Sequence, residues 1–223
     1  MNVSEILSFS RYEWAEQVLI KYLPSFANNI VLDVGAGDGR MKTVTESLGG
    51  KWMGFDIEPQ IPEIISWNLD SRAPEGSPMS GIILMLDIIE HLHNPWLSFD
   101  HVSSLVVPGG LIILTMPNPR WSRSRLYALK TGYSVCYTQS DLDLNNHVFT
   151  TWPHIIEKLI NDKGFIVEKC VTLDGTTKWP GKPFNLKYPL RFIIAATNKF
   201  IEFFDPSACG MSYGVIARKQ EET

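Results

Sequence analysis

The sequence predicts an α/β fold in which buried parallel strands alternate with helices. The segment 30–34, which is apolar except for Asp33, predicts a buried strand, and a glycine-rich turn and a helical segment follow it. The run 81–86, Gly-Ile-Ile-Leu-Met-Leu, is typical of a central strand that is covered on both faces. Apolar residues at four-residue spacing predict an N-terminal helix over about 10–23 that covers the sheet. We expect the chemistry of such a fold at the carboxyl end of the first strand, where the glycine-rich turn begins.

The composition is that of one globular domain over 1–223. Of the 223 residues, 44% are hydrophobic and 20% are charged, and the net charge is −4. Because nucleic-acid surfaces normally show a basic excess, nucleic acid is an unexpected partner. The three cysteines have no C-x-x-C spacing, which predicts neither a disulfide framework nor a zinc site. The sequence shows no signal peptide and no apolar run of roughly 18 residues, so we expect a cytoplasmic protein. The oligomeric state is not readable from the sequence.

The glycine-rich turn at 33–39 reads Asp-Val-Gly-Ala-Gly-Asp-Gly. Glycine allows the backbone to come close to a ligand, because it has no side chain to hold the ligand away. A dinucleotide-binding turn has the pattern G-x-G-x-x-G, whereas Arg40 occupies the sixth position here. The Asp33 carboxylate would also repel a pyrophosphate, and it suits a cationic amine better. A dinucleotide-dependent oxidoreductase is therefore the disfavoured alternative.

The end of the second strand carries an acid that suits a nucleoside. The segment 52–57 predicts a second strand, and its acid, Asp56, lies 23 residues after Asp33. In nucleoside-binding α/β folds an acid at about this distance accepts hydrogen bonds from both ribose hydroxyls. The segment 64–67 predicts a third strand, and an amide and an apolar residue follow it.

The second half of the chain predicts three more strands and two less regular stretches. Strands are expected over 111–115, 165–173 and 211–218, with helices over 95–106 and 153–163. The stretch 120–150 mixes basic and aromatic residues, which would suit an RNA patch, but neighbouring acids and the net charge count against RNA. The apolar stripe at 189–204 has helical spacing and is expected to pack on its own domain. The alternative is a lid, or a face that contacts a lipid-like substrate or a membrane surface.

The turn at 33–39 and the later motifs together resemble class I S-adenosylmethionine-dependent methyltransferases. The second motif, Asp-Ile-Ile-Glu-His-Leu at 87–92, is similar to that of the branch related to ubiquinone-biosynthesis O-methyltransferases. The His-x-Phe-Thr sequence at 147–150 resembles bacterial members that modify small molecules or surface-glycan precursors. The resemblance implies a Rossmann-like seven-stranded mixed sheet, with the last strand antiparallel and helices on both faces. It also implies substrate-covering insertions over 120–150 and 175–210.

The resemblance implies S-adenosylmethionine as the cofactor and S-adenosylhomocysteine as the product. Asp33 and the glycine backbone would hold the methionine part, Asp56 the ribose, and Asn68 with Leu69 the adenine. The cofactor-binding residues predicted in this way are Arg11, Asp33, Gly35, Ala36, Gly37, Asp56, Ile57, Asn68, Leu69 and Asp87.

A hydroxyl acceptor would need a base, and histidine suits that role near neutral pH. His91 is the first candidate because it follows the fourth strand, and His147 is the second. The alternative is a divalent metal, which is not favoured. Its ligands would be Asp87, Glu90, His91 and His147, a set similar to that of some ubiquinone and small-RNA 2′-O-methyltransferases. A small molecule or a glycan or lipid precursor is the expected acceptor, and a binding module without catalysis is the remaining alternative.

Overall fold

A computed structural model describes residues 1–175 and 189–221 of the chain. The strands are β1 Glu5–Ile6, β2 Ile30–Val34, β3 Lys51–Asp56, β4 Ile65–Ser66, β5 Ser80–Leu86, β6 Val106–Pro117, β7 Phe165–Leu173 and β8 Ser212–Lys219. The α-helices are α1 Arg11–Tyr22, α2 Arg40–Ser47, α3 Pro95–Ser103, α4 Ser122–Thr131, α5 Gln139–Asn145, α6 Pro153–Asp162 and α7 Pro189–Phe204. Short 3-10 turns follow α1, β5 and α7.

The strands form one mixed sheet in the order β1-β7-β8-β6-β5-β2-β3-β4. The last strand, β8, is antiparallel to both β6 and β7, and every other pair is parallel. The predicted seven strands are therefore present with the predicted antiparallel member. The additional strand β1 was not predicted, because two residues are too few to show a periodicity.

Alternate residues of the central strands enter two cores, one on each face of the sheet. Leu32 packs in the cluster that includes Phe99 of α3 and Ile156 of α6. Its neighbour Val31 points to the opposite face and packs in the cluster that includes Trp14 of α1. Strands covered on both faces must be apolar throughout, which explains the continuous apolar runs in the sequence.

The order of the sheet determines where a ligand can lie. After β2 the chain crosses to β3 on one side, and β5 pairs with β2 on the other side. The helices that follow these strands lie on opposite faces, so a crevice opens at the carboxyl ends of β2 and β5. The capping box that Ser10 and Glu13 form fixes the start of α1 beside this crevice.

The stripe at 189–204 forms the predicted helix, α7, but the expectation that this stripe packs on its own domain is wrong. Ile193, Ile194 and Phe204 of the stripe are exposed, whereas Asn198 and Glu202, which lie off the stripe, are buried. Residues 176–188, which belong to the predicted insertion at 175–210, lie outside the described part of the chain. The other predicted insertion, 120–150, contains α4 and α5.

Candidate functional site

Three adjoining cavities lie along the carboxyl ends of β2, β3 and β5. Cavity A, of about 460 Å³, lies beyond β3 and the segment that follows β4. Cavity B, of about 240 Å³, lies over the glycine-rich turn. Cavity C, of about 570 Å³, lies between the start of α1, the end of β5 and the segments that contain residues 136 and 147. Gly35 lines both A and B, Tyr12 lines B and C, and His91 lines A and C, so the three cavities form one cleft.

The glycine-rich turn presents its backbone to cavity B. Gly35, Gly37 and Gly39 all have left-handed φ angles, of +77°, +54° and +73°. A Cβ atom at position 35 would lie 1.9 Å from Cδ1 of Ile88, so that position has no room for a side chain. At Gly37, by contrast, no atom of the described residues other than its chain neighbours lies within 4 Å of such a Cβ, so the backbone there faces open space. The turn therefore leaves room for a ligand against its backbone.

Asp33 is a buried carboxylate in the wall of cavity B. Its side chain is 3% exposed, and Nε1 of Trp52 donates a hydrogen bond to its Oδ2 over 3.1 Å. Burial raises the pKa of Asp33 to about 6, the bond from Trp52 lowers it in part, and the nearby Asp56 and Asp38 raise it further. No cationic side chain pairs with Asp33 among residues 1–175 and 189–221. The site is therefore suited to a positively charged ligand group.

Cavity A combines acidic and apolar walls. Asp56 stands at the end of β3, and its Oδ2 accepts a hydrogen bond of 2.8 Å from the amide of Gly37. Trp67 packs edge-on against Phe55 at a centroid distance of 5.3 Å and forms part of the apolar wall. Ile57, Asn68 and Leu69 line the same cavity. Such a cavity has the size and mixture of groups of a site for a small organic ligand.

Arg11 and Asp87 pair with each other at the edge of cavity C. Arg11 Nη1 donates to Asp87 Oδ2, and the Thr115 hydroxyl donates to Asp87 Oδ1 over 2.7 Å. Two guanidinium groups lie over the ring of Tyr12, with Cζ of Arg40 at 4.5 Å and Cζ of Arg11 at 4.9 Å from its centroid. These contacts hold the start of α1 across the mouth of the cleft.

His91 and His147 come together although 56 positions separate them in the sequence. The carbonyl of Glu90 accepts hydrogen bonds from the amides of Val148 and Phe149, which draws the two segments together. The centroids of the two imidazole rings are 4.8 Å apart. His147 Nδ1 lies 2.6 Å from the carbonyl oxygen of Cys136. Because a carbonyl only accepts, Nδ1 carries the proton and Nε2 is available as an acceptor or ligand.

Glu90 completes a cluster with the two histidines. Potential ligand atoms of Glu90, His91 and His147 lie within 4.8 Å of one another. Glu90 is 1% exposed, and its Oε2 has no hydrogen-bond partner within the described ranges. Burial, with Asp87 nearby, raises the pKa of Glu90 well above its ordinary value. Burial and the neighbouring His147 lower the pKa of His91.

The predicted site residues divide among the three cavities. Asp56, Ile57, Asn68 and Leu69 line A, and Asp33, Ala36 and Gly37 line B, with Gly35 between them. Arg11, Asp87 and His147 line C instead, and His91 lies between A and C.

Gln60, Cys136 and Asp174 are among the lining residues that sequence reasoning missed. Asp174 directly follows β7, so its place at a strand end could have identified it. Gln60 and Cys136 lie on irregular segments, where periodicity carries no information about position.

Comparisons with known proteins identify the family and the fold. A family model described as a methyltransferase domain matches residues 7–167. No curated protein sequence matches the chain. A SAM-dependent methyltransferase from Archaeoglobus fulgidus superposes with a TM-score of 0.60 at 19% identity, over 94% of this chain and 95% of that one. A putative sarcosine dimethylglycine methyltransferase from Galdieria sulphuraria superposes with a TM-score of 0.58 at 13% identity, over 95% of this chain and 86% of that one. The plantazolicin methyltransferase BpumL, in complex with a triazolic desmethylPZN analog and SAH, superposes with a TM-score of 0.57 at 16% identity. The superposition covers 95% of this chain and 85% of that one. The predicted fold class is confirmed.

Proposed function

Because this chain belongs to the methyltransferase domain family, we propose that it transfers the methyl group of S-adenosylmethionine to a hydroxyl oxygen of a small-molecule or glycan-precursor acceptor. The observation that carries this proposal is the continuity of the three cavities at Gly35, Tyr12 and His91. A cofactor in A and B and an acceptor in C would meet beside His91. S-adenosylmethionine supplies, when bound, an electrophilic methyl group on a positively charged sulfur.

The residues of cavity B fit the methionine part of the cofactor. Asp33, a buried carboxylate without a cationic partner in the described ranges, would pair with the ammonium group. Arg40 lines the same cavity and would attract the carboxylate group. The left-handed backbone at Gly37 faces open space, which leaves room for the methionine chain between these two charges.

The residues of cavity A fit the nucleoside. Asp56 is placed at the strand end where a carboxylate can accept from ribose hydroxyls. Asn68 supplies a polar amide for the adenine edge, while Leu69 and Trp67 supply apolar surface for its ring. Holding both reactants in line is the main contribution that this arrangement makes to the rate.

Cavity C supports a polar acceptor, and His91 is our first candidate for the base. Its walls include Asp87, Glu90, His147 and Asp174, which suit hydrogen bonds to a hydroxyl-bearing molecule. His91 lies where the cofactor cavities meet C, so it can accept a proton from a hydroxyl placed there. His147, held by the carbonyl of Cys136, is the second candidate.

Calorimetry and a methyl-transfer screen test the proposal together. We expect the protein to bind S-adenosylmethionine and S-adenosylhomocysteine but not NAD, and we expect Asp33→Ala and Gly35→Val to abolish that binding. Grouped hydroxyl metabolites, glycan precursors and azole-containing peptides serve as acceptors, with His91→Ala beside the wild type. Binding of NAD in place of the methyl donor, or full turnover by His91→Ala, would contradict the corresponding part of the proposal.

A metal-assisted transfer is a second candidate, and the cluster of Glu90, His91 and His147 favours it. One carboxylate and two imidazoles suit Zn²⁺ or Mn²⁺, and such an ion would lower the pKa of an acceptor hydroxyl. Asp87, the fourth predicted ligand, stands outside the cluster. Its two oxygens accept hydrogen bonds from Thr115 and Arg11. Metal analysis of the purified protein and activity after chelation decide between metal-assisted transfer and transfer with a histidine base. Full turnover by metal-free protein excludes metal-assisted transfer.

A further inference from the structure

The helix α7 buries polar residues and exposes apolar ones, which is the reverse of an ordinary surface helix. Its buried side carries Asn198 and Glu202, which are 3% and 7% exposed. Glu202 is held there by the hydroxyl of Ser122 at 2.7 Å. The opposite side presents Phe200 and Phe203, which are 65% and 80% exposed, together with Phe204 and Ile193 at 69% and 57%. An apolar face that a helix turns away from its own domain indicates a surface that meets something else.

This face continues into a groove between α7 and α4. The groove has a volume of about 650 Å³, and Leu126, Ile193 and Ile194 are among the residues that line it. Two basic residues of α4, Arg123 and Lys130, stand in its wall and are exposed. The two helices therefore combine an apolar floor with a basic edge.

The charge around this surface is opposite to that of the whole chain. The chain carries a net charge of −4, yet α4 contains no acidic residue. The acid of α7, Glu202, is buried and pairs with Lys199 at 3.2 Å. A positive, aromatic surface on a negative protein complements an anionic partner.

We propose that α4 and α7 form an interfacial docking surface for an anionic lipid bilayer. The aromatic side chains of α7 would enter the boundary between headgroups and acyl chains, where amphipathic helices bury their apolar faces. Arg123 and Lys130 would meet the anionic headgroups. A second copy of this chain is a poorer occupant, because a symmetric contact would place the basic edge against itself. Within the described residues no helix has the length and apolarity to cross a membrane.

Sedimentation of the full chain with vesicles tests the proposal. We expect binding to vesicles of phosphatidylglycerol mixed with phosphatidylcholine, little binding to phosphatidylcholine alone, and a bound fraction that falls with added salt. Phe203→Asp should weaken binding roughly tenfold or more, because it places a charge where apolar surface is buried. Each of Arg123→Glu and Lys130→Glu should weaken it by roughly fivefold or more.

The control is Leu144→Asp, a change at an equally exposed apolar residue on α5, which should bind vesicles as the wild type does. Thermal unfolding of each variant checks that it is folded. Failure of the wild type to bind anionic vesicles, or equal binding by folded Phe203→Asp, would overturn the proposal. Light scattering that shows a dimer broken by Phe203→Asp would assign the face to a second copy and would overturn it too. Methyl transfer in solution is a separate readout, so this proposal can fail while the proposed function stands.

Discussion

Replacing Asp33 with asparagine should stabilise the ligand-free protein while it destroys cofactor binding. Asparagine has nearly the same shape, and its carbonyl oxygen can still accept the hydrogen bond from Trp52. It cannot ionise, however, so the folded state no longer carries a buried charge without a cationic partner. The same change removes the negative charge that would hold the ammonium group of the cofactor.

The pKa of Asp33 sets the size of the effect. It rises from 3.8 to about 6 on folding, chiefly because the carboxyl group is buried. At about 1.4 kcal/mol per pKa unit this difference corresponds to about 3 kcal/mol, an upper bound for the gain. The pKa of Asp33 is higher in the folded state than in the unfolded state, so ionisation of Asp33 destabilises the folded wild type. This free-energy cost is absent below pH 3.8, grows as the pH rises toward 6, and is full above that pH. A gain of about 2 kcal/mol would raise the unfolding temperature of a chain of this size by roughly 4–8 °C.

Thermal unfolding of ligand-free Asp33→Asn and wild type between pH 4.5 and pH 8 measures this gain, and calorimetry with S-adenosylhomocysteine measures binding. We expect the advantage of the variant to be largest at pH 8 and to shrink toward pH 4.5, with binding lost throughout. Asp143→Asn, a change at an exposed acid on α5, is the control and should alter neither property. A variant that is less stable at pH 8, or that binds the ligand as tightly as wild type, would refute the reasoning.

Three further predictions concern the same cleft. For wild type, the affinity for S-adenosylhomocysteine should fall roughly tenfold per pH unit below about pH 6, because Asp33 must ionise to pair with the ammonium group; affinity that is constant down to pH 5 would contradict this. Trp52→Phe removes a hydrogen bond that lowers the pKa of Asp33, so the midpoint of that profile should move to higher pH in calorimetric titrations. Gly35→Ala should abolish binding and destabilise the fold, because its Cβ would overlap Ile88. Gly132→Ala has the same left-handed strain but open surroundings, so denaturant unfolding should show a loss of only about 1–2 kcal/mol with binding retained.

The sequence alone determined the parts of this protein that neighbouring residues encode. The strand, turn and helix around 30–47 are contiguous, so apolar periodicity and glycine spacing predicted them without knowledge of the rest of the fold. Asp56 and Asn68 could be placed because parallel strands bring their carboxyl ends to one edge of the sheet. The family followed from these same local patterns.

Tertiary structure alone decided which distant groups meet and which surfaces are covered. The contact between His91 and His147 depends on backbone hydrogen bonds to Glu90, which no local pattern encodes. Asp87 pairs with Arg11 of the N-terminal helix and stands outside the cluster of Glu90, His91 and His147, which the sequence could not show. Periodicity identified the apolar stripe of α7 but could not say which side would be covered, since a helical repeat is the same whether its apolar face meets the core or the surroundings.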